Sequence, residues 1–121
     1  MNYILVTNNT FTKEKFEKEY DLRYIDGKMK DVLLYVRDLI HQGHTLLTHP
    51  LSGSVKPNEN PFKSILISST KGELNNESLR IIENALVTVD KFPVKYSYIP
   101  PNIIDDFKTI DCSLISGALC K

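Results

Sequence analysis

The residues best suited to chemistry crowd into one polar stretch, Thr48-His49-Pro50-Leu51-Ser52-Gly53-Ser54-Val55-Lys56-Pro57-Asn58-Glu59-Asn60-Pro61-Phe62. Its prolines fix φ and stiffen the backbone, while Ser52-Gly53-Ser54 can turn successive N–H groups and two hydroxyls toward one point. Lys56 adds a compact positive charge two residues on, and Asn58 a further amide. Converging donors beside an ammonium suit a small carboxylate or phosphate. His49 ordinarily titrates near neutrality, which makes it the candidate acid or base if the site performs a reaction. A plainer reading uses the same residues: an Ω-type connection whose Pro-Asn-Glu-Asn-Pro end forms turns, with His49 a hydrogen-bonded structural residue and Glu59 paired to Lys56.

Motifs that would name a reaction are missing. The G-x-x-x-x-G-K-[ST] spacing of a phosphate loop does not occur, nor does the G-x-G-x-x-G of a dinucleotide fold or the G-x-S-x-G elbow of a hydrolase. His41 and His44 straddle Gly43 with no Cys or carboxylate cluster to complete a metal set, so no metal and no cofactor is expected. The 15 basic and 15 acidic side chains cancel, and Lys13, Lys15 and Lys18 are interleaved with Glu14, Glu17 and Glu19. That balance argues against nucleic acid, which requires a basic stripe. The amino terminus lacks a basic n-region, and no apolar run approaches the roughly 18 residues of a membrane span. Cys112 and Cys120 fall in a stretch expected to be helical, where eight residues rise about 12 Å, too far for a disulfide. A cytoplasmic protein with reduced thiols is the expectation.

These candidates must be positioned by strands and helices. Tyr3 to Thr7 is a short, near-continuous apolar strand ended by Asn8-Asn9. Phe11 to Tyr20 reads as a short surface helix and Leu22 to Ile25 as a second strand. From Lys28 to Gln42 the positions Met29, Val32, Leu33, Val36, Leu39 and Ile40 follow helical spacing, with Gly43 as a left-handed stop. Thr45 to Thr48, Ser64 to Ser68 and Val94 to Ile99 read as further strands. Asn75 or Asn76 caps a helix with Leu79, Ile82, Leu86 and Val89 inward, and a last helix follows Pro101 with Ile103, Phe107, Ile110 and Leu114 as its buried side. Alternating strands and helices imply one α/β domain over residues 1–121, an open, mostly parallel sheet of about five strands with helices on both faces, a Rossmann-like three-layer arrangement. The connection between the third and fourth strands carries no clear helix, which leaves one of that pair free to run antiparallel.

In such a sheet ligands collect beyond the carboxyl ends of the strands. Thr7, Asn8 and Asn9 after the first strand, His49 after the third and Ser68, Ser69 and Thr70 after the fourth are therefore expected along one edge. Joined to the polar stretch, they give a ligand set of Thr7, Asn8, Asn9, Ser52, Gly53, Ser54, Lys56 and Asn58, with His49 as the catalytic candidate.

The opening Ile4-Leu5-Val6-Thr7-Asn8-Asn9 and the Thr-His-Pro-Leu-Ser-Gly-Ser-Val-Lys-Pro-Asn-Glu-Asn-Pro-Phe-Lys-Ser segment at 48–64 resemble the GrdX family, and the resemblance runs along essentially the whole chain. It implies a setting in the glycine, sarcosine and betaine reductase systems of amino-acid-fermenting anaerobes. The chain has no Cys-x-x-Cys and no selenocysteine, so the resemblance implies an accessory or regulatory protein, not a catalytic subunit of the reductase. Three readings compete: a module binding a small anionic metabolite, a small enzyme using His49 on a carboxylate-bearing intermediate, and an adaptor for reductase components or a second copy through Phe11, Phe16 and Tyr20 or through Tyr96, Tyr98 and Ile99.

Overall fold

The computed structural model describes residues 3–51, 60–91 and 99–119. Seven elements follow in order: β1 (Tyr3–Thr7), α1 (Thr10–Phe16), β2 (Asp21–Tyr24), α2 (Met29–His41), β3 (Ser64–Ser68), α3 (Asn76–Lys91) and α4 (Pro101–Leu119). Local chemistry sets their ends. The Asn9 carboxamide accepts from Phe11 N at 3.0 Å and caps α1, and Asn75 does the same for α3 through Ser78 N at 2.7 Å. The Asp31 carboxylate reaches back to Lys28 N at 2.8 Å over the first turn of α2. Gly43, at φ 106°, ends that helix where a side chain would be strained.

The sheet departs from the expected one. Among the described residues it has three strands, in the order β2-β1-β3, and it is mixed: β2 is parallel to β1, whereas β3 is antiparallel to it. About five mostly parallel strands is thereby corrected. Thr45 to Thr48 does run beside β3, but only Leu46 forms a bridge, to Ile67. The reason is side-chain competition for the ladder: Thr45 N donates to Ser68 Oγ at 2.8 Å, Leu66 N donates to Thr48 Oγ1 at 3.0 Å, and Leu47 N and Thr48 N share the carbonyl of Leu66. The strand expected at 94–99 lies outside the described residues up to position 98.

Period-two alternation gives each sheet face its own core. Ile4, Val6, Ile65 and Ile67 point toward α2 and α3, whose Val32, Leu33, Val36, Ile40, Ile82 and Val89 complete the larger cluster. Leu5 and Leu66 point the other way, against Phe16 of α1 and Ile115 of α4. The buried line of α4 is thus Asp111 and Ile115, while Ile103, Ile110 and Leu114, expected inside, are exposed and Phe107 is half-buried. Hydrophobic spacing alone could not choose, because α4 is apolar on two sides.

At Gly43 a Cβ would stand 2.3 Å from the carbonyl oxygen of Gly72, whose N–H donates to Gly43 O at 3.0 Å. Replacement by alanine combines a left-handed backbone with a clash against main chain. Gly43→Ala is expected to lower stability by about 2 kcal/mol or more in urea unfolding, with secondary structure unchanged by circular dichroism.

Candidate functional site

Where β1 and β2 end and β3 begins, the α1/α4 side of the sheet changes from apolar to polar. Along β1 the residues on this side run Leu5 then Thr7, and along β3 they run Leu66 then Ser64, so the register that pairs Leu5 with Leu66 also pairs Thr7 with Ser64. Two helices match the step with an i, i+4 pair each, Thr12 then Phe16 on α1 and Asp111 then Ile115 on α4. Phe16 and Ile115 meet the leucines, and Thr12 and Asp111 meet the hydroxyls.

Asp111 is the centre of the resulting network. Its Oδ1 accepts from Ser64 N at 3.0 Å, and its Oδ2 accepts from Ser64 Oγ at 2.7 Å and from Asn9 Nδ2 at 2.9 Å. A carboxylate only accepts, so it takes the single hydroxyl proton of Ser64; Thr7 Oγ1, 2.7 Å from Ser64 Oγ, then donates to Ser64 and accepts from Asn9 N at 3.0 Å. Thr12 Oγ1 stands 3.1 Å from the same Ser64 oxygen. Asn9 Nδ2 also donates to Lys108 O at 2.8 Å. Asn8 closes the adjoining corner, donating through Nδ2 to Gly27 O at 3.1 Å and Pro61 O at 3.0 Å and accepting from Lys63 N at 2.9 Å.

The structure therefore brings Thr7, Asn8 and Asn9 together with the base of the polar stretch, but it buries all three and engages their side chains inside the protein. Ser52, Gly53, Ser54, Lys56 and Asn58 lie outside the described residues. Of the residues that bound them, Asn60 donates to Phe107 O at 3.0 Å and accepts from Phe62 N at 2.9 Å, and Leu51 packs against the larger core cluster. Ser68, Ser69 and Thr70 are not on this edge: β3 runs antiparallel, so Ser68 pairs with Tyr3 at the opposite end.

Beside the network lies a small cleft of about 40 Å³, lined by Thr48, His49, Lys63, Ser64, Asp111, Leu114, Ile115 and Ala118. His49 is an exposed member of that lining, and its Nδ1 accepts from Leu51 N at 3.1 Å, which places the proton of the neutral ring on Nε2. Lys63 is only 6% exposed. Burial pushes its ammonium below the usual lysine range, and the nearby Asp111 carboxylate opposes that shift in part. Lys63 and Asp111, like Thr12, Thr48 and Ser64, are site residues absent from the expected ligand set. Lys63 sits one residue before an apolar strand, where a cation is ordinarily solvated; Asp111 was hidden because the alternative apolar line of α4 was stronger. The matching Thr12/Phe16 and Asp111/Ile115 pairs were the available signal.

The adaptor patch expected at Phe11, Phe16 and Tyr20 is not an open surface. Phe16 is buried, Tyr20 packs against its ring edge to face at 5.8 Å, and Phe11 lies under the Lys108 ammonium at 5.3 Å. Tyr96 and Tyr98 lie outside the described residues. Among the described residues no group of three His, Cys, Asp or Glu is placed to hold a metal ion, and no helix is long and apolar enough to cross a membrane.

Fold and site together define a small three-layer α/β protein organised around a buried acid at one end of its sheet. By sequence the chain belongs to the GrdX family: the family model, described as GrdX-like protein, matches residues 4–120. No curated protein and no solved structure matches the chain.

Removing the Asp111 carboxylate leaves the Ser64 N–H, the Ser64 hydroxyl and one Asn9 donor bond unmet in a buried place. Asp111→Ala is expected to cost about 2–4 kcal/mol in denaturant unfolding, more than Asp105→Ala on the exposed side of the same helix. Lys63 supplies a pH signature. Its folded-state pKa is lowered, so between that value and the ordinary lysine value the unfolded chain holds a proton the folded one has released, and folding gains as pH rises. The stability of the native chain relative to Lys63→Met is expected to increase from neutral into alkaline pH, read as urea midpoints.

Proposed function

We propose that the cleft at the end of β1 binds a small carboxylate- or phosphate-bearing metabolite and that the chain serves the glycine, sarcosine and betaine reductase system as a cytoplasmic accessory protein. Membership of the GrdX family supports the metabolic setting. The observation that carries the ligand class is Lys63, a nearly buried amine lining a cleft whose polar rim is Thr48 and His49. An anion entering there adds to the Asp111 charge in favouring the ammonium form that burial disfavours, and the Thr48 hydroxyl and the Nε2–H of His49 are donors suited to its oxygens. Asp111 has a different part: it is saturated by internal donors and holds the wall of the cleft in shape. Leu114, Ile115 and Ala118 restrict the apolar remainder to a few carbon atoms.

Calorimetric titration of the full chain with glycine, sarcosine, betaine, acetyl phosphate and inorganic phosphate tests the reading. At least one of these is expected to bind, with affinity reduced about tenfold or more in Lys63→Met, and with affinity falling as pH rises because the amine loses its charge. Absence of binding by all five to the folded native chain, or binding that Lys63→Met leaves unchanged, would overturn it.

A further inference from the structure

Hydrogen bonds already formed around the cleft set the direction of those its side chains still offer. Thr48 Oγ1 accepts from Leu66 N at 3.0 Å, which leaves the hydrogen of that hydroxyl to be given away. His49 Nδ1 accepts from Leu51 N at 3.1 Å, so the neutral ring presents Nε2–H, a donor. The Lys63 ammonium carries hydrogens and no lone pair. Asp111, the carboxylate of the lining, is committed inward: Oδ1 holds Ser64 N, Oδ2 holds Ser64 Oγ and Asn9 Nδ2, and Lys63 is its nearby counter-charge. Among the described residues the cleft therefore presents side-chain donors and apolar carbon, with no Phe, Tyr or Trp to receive a quaternary ammonium.

We propose that this cleft selects anions that only accept hydrogen bonds, a short carboxylate or phosphate with no ammonium group, and rejects amino-acid zwitterions. The inference rests on the anion-binding reading above and adds what the rest of the ligand must lack. A carboxylate or phosphoryl group has lone pairs enough for Thr48, His49 and Lys63 together. A zwitterion brings the same oxygens with an ammonium on the next carbon. In a space of about 40 Å³ that ammonium stays close to Lys63, a like charge, and the acceptors it meets are the Asp111 oxygens already engaged. A charged donor that loses its water without gaining an acceptor is the costly case, and a site that imposes it on the wrong ligand discriminates by exclusion. The apolar side chains of Leu114, Ile115 and Ala118 suit a methyl group in the same position.

Nuclear magnetic resonance titration of the full chain with matched pairs tests the proposal: acetate against glycine, and methylphosphonate against aminomethylphosphonate, at neutral pH where both amines are charged. The members of a pair differ only by an ammonium in place of one methyl hydrogen. At least one ammonium-free member is expected to bind about tenfold or more tightly than its counterpart, with shifts at Thr48, His49 and Lys63 that Lys63→Met abolishes. Which pair responds separates a carboxylate ligand from a phosphate one. The comparison within a pair uses the native chain, so it stands even if Lys63→Met fails to fold. Glycine or aminomethylphosphonate binding at these residues as tightly as its counterpart would overturn the proposal and leave the anion site in place. Silence from both ammonium-free members would overturn it as well, and silence from the five metabolites of the calorimetric series in addition would remove the site itself.

Discussion

Everything at the polar end of this sheet hangs on one acid. Asp111 is buried between a helix and the ends of two strands, and a carboxylate in such a place persists only if its oxygens are met by donors. Those donors come from distant parts of the chain: Asn9 beyond the first strand, and the amide and hydroxyl of Ser64 at the start of the third. By demanding them together, Asp111 fixes the height at which α4 crosses the sheet and the register in which β1 and β3 meet it. Sliding α4 by one residue would rotate the acid away from the hydroxyls and Ile115 away from Leu5 and Leu66.

From that constraint follows the division of labour among the polar residues. Thr7, Asn8 and Asn9 have the look of ligand-gathering groups, and their position at the carboxyl end of a central strand favours that reading. Their side chains are nevertheless occupied by the protein itself, as a hub that ties four elements and the 60–63 segment together. The cleft is lined by the next ring outward, Thr48, His49 and Lys63. A rigid polar hub beneath this outer ring fixes the positions of its side chains. Burial of Lys63 costs folding free energy near neutral pH, and an energetic cost borne at a cleft is a physical reason to look for function there.

The same constraint explains why, among the described residues, one apolar side of α4 is left exposed. Asp111 and Ile115 have to face the sheet, so the seam of Ile103, Phe107, Ile110 and Leu114 is turned away from it, although by hydrophobicity it was the stronger candidate for burial. A polar requirement overrode an apolar one. This override is affordable because three sheet-facing donors satisfy the acid, while the displaced isoleucines and leucine lose only part of their burial.

The sequence by itself determined the local elements. The apolar runs of β1 and β3, the spacing of α2 and α3, the cap at Asn75 and the left-handed stop at Gly43 all follow from forces acting within a few residues. It also supplied the family. Only the tertiary structure decided the direction of β3, the reduction of Thr45–Thr48 to a single bridge, the face that α4 buries and the pairing of Asp111 with Ser64. Each of those depends on groups some 20 to 100 residues apart competing for the same hydrogen bond or the same patch of sheet. Periodicity records which residues prefer to be covered, but it contains nothing about which of two apolar lines a distant carboxylate will turn toward the core.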